Sequence, residues 1–133
     1  TSFMDISIGK YLKSSLTEAR KIKILDKINL ELKTRHYFSD NLASLSELAK
    51  KIGESPHHVS QVINEKLNVS FFELLGSHRI EEAKRILSDN KQNNLTIEEI
   101  SEMVGYNSKT AFNNSFKKLT GKTPSEFRKS INP

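Results

Sequence analysis

Apolar residues recur along this chain at three- and four-residue spacing, and strand-like alternation is nearly absent, so the pattern predicts an all-α fold. From Thr17 to about Lys33, Ile22, Leu25, Ile28 and Leu32 make one stripe, with Lys21, Lys23, Lys27 and Glu31 mostly elsewhere around the helix. Tyr37 and Phe38 follow in a connection, as an expected plug on the first core. Leu45, Leu48, Ala49 and Ile52 fall at i, i+3, i+4 and i+7, a short helix with one buried face. Ser55 and Pro56 open the next helix, where the missing proline N–H costs nothing. Val59, Val62, Ile63 and Leu67 face inward, and Asn68, tolerant of left-handed backbone, ends it. Ser70 is expected to cap a longer helix over residues 71–88, apolar at Phe71, Leu74, Leu75, Ile80, Ala83, Ile86 and Leu87. His78, Arg79, Glu81, Glu82, Lys84 and Arg85 are its expected solvated side, and its length of roughly 25 Å makes it a spacer.

The remaining pattern repeats the earlier one. Ser44-Leu45-Ser46-Glu47 and Thr96-Ile97-Glu98-Glu99 each place a hydroxyl three residues before a glutamate, which reads as a capping box at a helix start. Gly53 and Gly105 mark the sharp exits, and Ser55 and Ser108 cap the helices that follow. In the second copy Ile97, Ile100 and Val104, then Phe112, Phe116 and Leu119, are the inward residues. The two copies align at an offset of 52 before the turn and 53 after it, a one-residue insertion. Thr123-Pro124-Ser125-Glu126 is a further capping box, opening a closing helix that buries Phe127 and Ile131. About seven helices result, in two helix-turn-helix subdomains at 17–69 and 91–133, joined by a linker helix at 70–90 and preceded by a linker or approach segment at 1–16. A short helix, a tight turn and a second helix, written twice, is the layout of a protein reading two successive stretches of DNA groove.

Charge sharpens this picture. The net charge of +5 falls entirely in residues 105–133, where Lys109, Lys117, Lys118, Lys122, Arg128 and Lys129 face Glu126 alone. A local basic surface attracts phosphate backbones, although a solvated, lysine-rich helical end would have the same composition. There is no cysteine, so no disulfide framework or thiolate metal site is available, and a cytoplasmic location is expected. No apolar run approaches the roughly 20 residues needed to span a membrane, and no secretion signal is visible. The start at Thr1 points to an excised piece of something longer. His57-His58 lacks the partners that a metal site requires, and no nucleophile–base pair or phosphate cradle stands out, so neither a metal, a cofactor nor enzyme activity is expected.

The stretch from Gly105 to Arg128 carries a specific resemblance. Gly105-Tyr106 opens the turn, Phe116-Lys117-Lys118 lies in the second recognition helix, and Gly121, Thr123, Pro124, Phe127 and Arg128 close the pattern. It resembles the DNA-binding region of AraC/XylS-type transcription regulators, over about residues 20–130, with Arg79, Ala83 and Leu87 fitting the connecting helix. Lys10 to Ser14 is similar to the approach segment of members with an upstream sensor. The resemblance implies two helix-turn-helix units entering adjacent major-groove segments on one face of double-stranded DNA. It also implies an upstream sensor or dimerisation domain, with RNA polymerase as a further candidate partner.

Within the recognition helices the resemblance puts base contacts at His57, Ser60 and Gln61, and at Lys109, Thr110, Asn113 and Asn114, with Ala111 against a thymine methyl. The residue types agree: Gln and Asn pair with adenine, Lys with guanine, Ser and Thr with either. Lys117 and Lys118 suit phosphates, and the helix starts at Ser44, Thr96 and Ser108 offer backbone N–H groups to them. The sequence departs from the family at Asn68, where glycine is usual, at Gln61 and Asn114, where many members carry arginine, and at Gly76, which interrupts the linker helix. The competing reading is a helical protein-interaction module; RNA binding lacks the exposed aromatic platforms it would need.

Overall fold

Thr17 starts the first helix, its hydroxyl oxygen accepting from Arg20 N at 3.2 Å. That helix, α1, spans Glu18–Thr34. It is followed by α2 (Leu45–Ile52), α3 (Pro56–Val62), α4 (Phe71–Ser88), α5 (Ile97–Met103), α6 (Lys109–Thr120) and α7 (Pro124–Ile131). A computed structural model describes residues 16–34, 36–92 and 94–132, and these contain seven α-helices and no strand. The expected approach segment lies, except for Leu16, outside the described residues.

The chain divides into two compact units: residues 16–34 with Ser44–Phe71, and residues 36–43 with 72–132. In the first unit α1 packs on α2 and α3. Ile24, Ile28 and Leu32 of α1 are buried, as are Leu48, Ala49, Val59, Val62 and Ile63. Ile22, expected in the stripe, is 53% exposed, and the buried register runs instead through Ile24, Ile28, Glu31 and Leu32. The helix begun at Pro56 continues past Val62 as a wider π-helical stretch, Ile63–Leu67. Asn68 ends it at φ 57°, the left-handed conformation its side chain tolerates.

The second unit is built on α4, which runs unbroken through Gly76. Ile80, Ala83, Ile86 and Leu87 of α4 share a core with Ile100, Val104, Phe112 and Phe116, edged by Leu95, Ile97, Tyr106 and Phe127. Two inward expectations fail here: Leu119 is 52% exposed and Ile131 is also exposed. Both sit in the last turn of their helices, where the core has already been closed by larger rings. Phe112, Phe116 and Phe127 stack edge-to-face along it, with centroids 5.8 and 5.4 Å apart.

The connection after α1 also differs from expectation. Tyr37 and Phe38 are buried, but their segment belongs to the second unit rather than plugging the first. Phe38 lies 4.9 Å from the His78 ring on α4. Arg79, expected to be solvated, is buried and bonded to this same segment.

Candidate nucleic-acid interface

Each unit presents a short helix, a turn and a second helix. In the first, the Ser44 hydroxyl oxygen accepts from Glu47 N at 3.1 Å, and Gly53 leaves α2 at φ 71°. Ser55 then accepts from His58 N at 3.3 Å and α3 begins at Pro56. The turn is braced by Glu54, whose side chain is 3% exposed. Arg20 Nη2 donates to both its oxygens, at 2.7 and 2.9 Å. Lys27 Nζ donates to Oε2 at 2.6 Å and to the Ile52 carbonyl at 3.2 Å. Burial pushes this carboxyl's pKa up, but the Lys27 hydrogen bond and the charges of Lys27 and Arg20 outweigh it and hold the group below its ordinary value. The basic residues of α1 are thus partly spent on fixing the turn that aims α3.

On α3 the exposed polar line is His57 with half-buried Ser60, continued by exposed Asn64 in the π-helical stretch. Gln61 does not join it. Helical periodicity places it about 40° from His57, yet it is 1% exposed. The reason is the flank occupied by α1. Gln61 Nε2 donates to Glu65 at 3.2 Å, and Glu65 pairs at 2.8 Å with Lys21 of α1. Gln61 Oε1 is buried with no hydrogen-bond partner among the described residues. The expectation that Gln61 points outward therefore fails, because the sequence pattern of α3 records its inward stripe but not the helix lying beside it. Asn64 was missed, although its spacing of four from Ser60 and seven from His57 carries the signal.

In the second unit Thr96 caps α5, accepting from Glu99 N at 3.0 Å while its hydroxyl donates to the Glu99 carboxylate at 3.2 Å. Ser108 caps α6 by accepting from Ala111 N at 3.1 Å. The capping box at Thr123–Glu126 is fully reciprocal and starts α7. Along α6 the residues Lys109, Thr110, Ala111, Asn114, Lys117 and Lys118 are exposed, and Asn113 is half-buried. Every second-helix residue singled out by the sequence thus has access to solvent, unlike Gln61 in the first.

The turn before α6 has its own brace, invisible in the repeat. Gly105 adopts φ 100°, and a Cβ there would fall 2.8 Å from the Phe38 carbonyl oxygen and 2.9 Å from both Arg79 Nε and the Ser39 carbonyl oxygen. Only glycine fits so close an approach. Arg79 Nε donates to the Phe38 carbonyl at 2.7 Å and Nη2 to the Asp40 carbonyl at 2.9 Å. Its guanidinium also lies 5.2 Å from the Tyr106 ring centroid.

The helix starts differ in what they offer to an anion. Ser44, Thr96 and Ser108 are all exposed. Lys109 occupies the first turn of α6, Glu47 that of α2, and both Glu98 and Glu99 that of α5, so Ser108 is the best suited of the three to a phosphate and Thr96 the least. No group of three His, Cys, Asp or Glu placed to hold a metal occurs among the described residues, and His57 and His58 rings stand 6.1 Å apart. No helix among them is long and apolar enough to cross a membrane.

Known proteins share this arrangement. The helix-turn-helix domain family matches residues 48–130. An uncharacterised HTH-type transcriptional regulator of Staphylococcus aureus is 34% identical over 115 residues, which cover 86% of this chain but 14% of that protein. The chain therefore spans about a seventh of such relatives. The C-terminal domain of AraT, a response regulator from Geobacillus stearothermophilus, superposes with a TM-score of 0.69 at 30% identity, covering 88% of each chain. The DNA-binding domain of AdpA, solved in complex with a target DNA, shares the fold with a TM-score of 0.68 at 16% identity, over 82% of this chain and 92% of that one. Two consecutive capped helix pairs, the closing Thr123–Glu126 box and these matches together make the chain a member of the AraC-type helix-turn-helix domain family.

Proposed function

We propose that this chain is the double-stranded DNA-binding part of a transcription regulator, and that it reads sequence through the outward faces of α3 and α6. The carrying observation is that both helices bury an apolar stripe and leave a polar or basic line in solvent: His57, Ser60 and Asn64 on one, Lys109, Thr110, Ala111, Asn114 and Lys117 on the other. Amide, hydroxyl and ammonium groups of this kind match the donors and acceptors of major-groove base edges, and the methyl of Ala111 suits thymine. Asn113, half-buried, has a narrower reach toward a base. Lys117, Lys118 and the starts of α2 and α6 at Ser44 and Ser108 suit phosphates, which position the protein without reading sequence. Thr96 ranks behind them for the electrostatic reason given above.

Selection from a random duplex pool, followed by gel shifts at two salt concentrations, tests the reading. The expected outcome is a preferred site with two protected major-groove segments, centred one helical turn or roughly 34–36 Å apart. Affinity should fall steeply with salt, by about one unit of log–log slope for each phosphate contact. A chain that enriches no sequence and whose binding ignores salt would refute the proposal. The matched relative is about seven times longer than the region it shares with this chain, which leaves room for the sensor region and the RNA polymerase contact proposed for the whole regulator.

A further inference from the structure

Residues 36–43 lie in sequence between the helices of the first unit, yet they cluster with the second. The segment is internally tied: Ser39 N donates to the His36 carbonyl, Asp40 N to the Tyr37 carbonyl and Ala43 N to the Asp40 carbonyl, each at 3.1 Å. Asp40 Oδ1 also accepts from Leu42 N at 2.9 Å. This makes a short, stiff strap. Arg79 grips two of its carbonyls, Gly105 lies against two of them, and Asn41 Nδ2 donates to Asn107 Oδ1 at 3.0 Å. Gly105, Tyr106 and Asn107 are the turn that leads into α6.

From that turn the contact passes directly into the recognition helix. The Tyr106 ring, beside the Arg79 guanidinium, sits 5.5 Å from Phe112, and Phe112 is fully buried on the inner face of α6. We infer that Arg79 is a positioning residue for DNA recognition, clamping the 36–43 strap to the second turn and so setting the pose of α6. This rests on the DNA-binding reading and adds a determinant that touches no base. Arginine suits the role because its planar fork reaches two carbonyls at once while its face meets an aromatic ring. A lysine at this position keeps the charge but lacks the planar two-nitrogen fork and the face that meets the ring, and a methionine fills the space without holding either carbonyl.

The test compares the full chain with Arg79→Met, Arg79→Lys and Asn41→Ala on the selected site and all its single-base-pair variants. Base pairs read by α6 are first identified as those whose discrimination falls in Asn114→Ala or Lys109→Ala. In Arg79→Met, discrimination at those base pairs should drop about tenfold, while base pairs read by α3 keep theirs. Arg79→Lys and Asn41→Ala should lose about threefold at the same positions, and they carry the test should Arg79→Met fail to fold. Amide hydrogen exchange without DNA supplies an independent readout. Exchange over residues 105–112 should speed up in each variant, with residues 56–67 unchanged.

Equal losses at both sets of base pairs, or uniform speeding of exchange in both units, would overturn the inference in favour of a general stabilising role. Unchanged discrimination in a folded variant overturns it as well, leaving the DNA-binding reading intact. A wild-type chain that discriminates no sequence overturns both.

Discussion

Glu54→Gln takes one negative charge out of the turn between α2 and α3 and leaves its shape nearly unchanged. The carboxylate is 3% exposed and meets Arg20 at 2.7 Å and Lys27 at 2.6 Å. At an effective dielectric of about 20, two charges with centres about 4 Å apart attract by about 4 kcal/mol. Two such pairs give about 8 kcal/mol gross, against a cost of several kcal/mol for burying the carboxylate. The cations keep 46% and 43% of their side-chain surface in water, so solvent screens much of the attraction and hydrates them when the charge is removed. The net loss should lie between that of an exposed pair, up to about 1 kcal/mol, and that of a buried one, about 3–5 kcal/mol; about 2 kcal/mol is expected.

Native-state hydrogen exchange at amides of α2 and α3 reads this unit by itself, at pH 7 and again in acid. The folded-state carboxyl is held below its ordinary value of 4.5. Its stabilisation is therefore complete above that value and is lost as pH falls through the lower folded one. The wild type should be the more stable at pH 7, and the gap to Glu54→Gln should narrow as the pH falls below 4.5 through the lower folded value. A gap of the same size at both pH values would show that shape, not charge, matters at this turn. No gap at pH 7 would show that the brace contributes nothing.

Five further substitutions, at four positions, probe the interface and its supports. Asn64→Ala should weaken discrimination at one base pair by about 1–3 kcal/mol, whereas Gln61→Ala should leave every base preference intact; binding to the single-base-pair variants separates the two. Gln61→Met removes a buried oxygen that has no partner among the described residues, so urea unfolding should show stability unchanged or raised by about 1 kcal/mol. Lys117→Ala should weaken all sequences alike and reduce the salt slope by about 1, read from gel shifts across a salt series. Gly105→Ala combines a left-handed backbone with the carbonyl contact at 2.8 Å, so thermal unfolding should show a loss of about 2 kcal/mol or more.

Local chemistry made much of the fold legible before any coordinates. Ser44, Ser55, Thr96, Ser108 and Thr123 each cap a helix in the structure, because a short hydroxyl side chain placed before an apolar run has an orphan N–H within reach. The bounds of α4 and the left-handed stop at Asn68 were legible for the same reason, since they depend on residues close together in the chain. The solvent-facing line of α6 could be read from the spacing of Phe112 and Phe116, as its inner face meets a single core.

What periodicity could not reveal is which polar residues become enclosed from a second direction. Gln61, Arg79 and Glu54 all look solvated in the sequence, and each is buried by a partner between 34 and 41 residues away or by a helix packed on a second flank. Amino-acid order determined the two capped helix pairs, the basic stretch over residues 105–133 and the residue types of the outward faces, because these follow from the chain's local order. Only packing decided that α1 removes Gln61 from the surface and that residues 36–43 join the second unit. Burial is a property of the space around a residue, and that space is filled by distant parts of the chain.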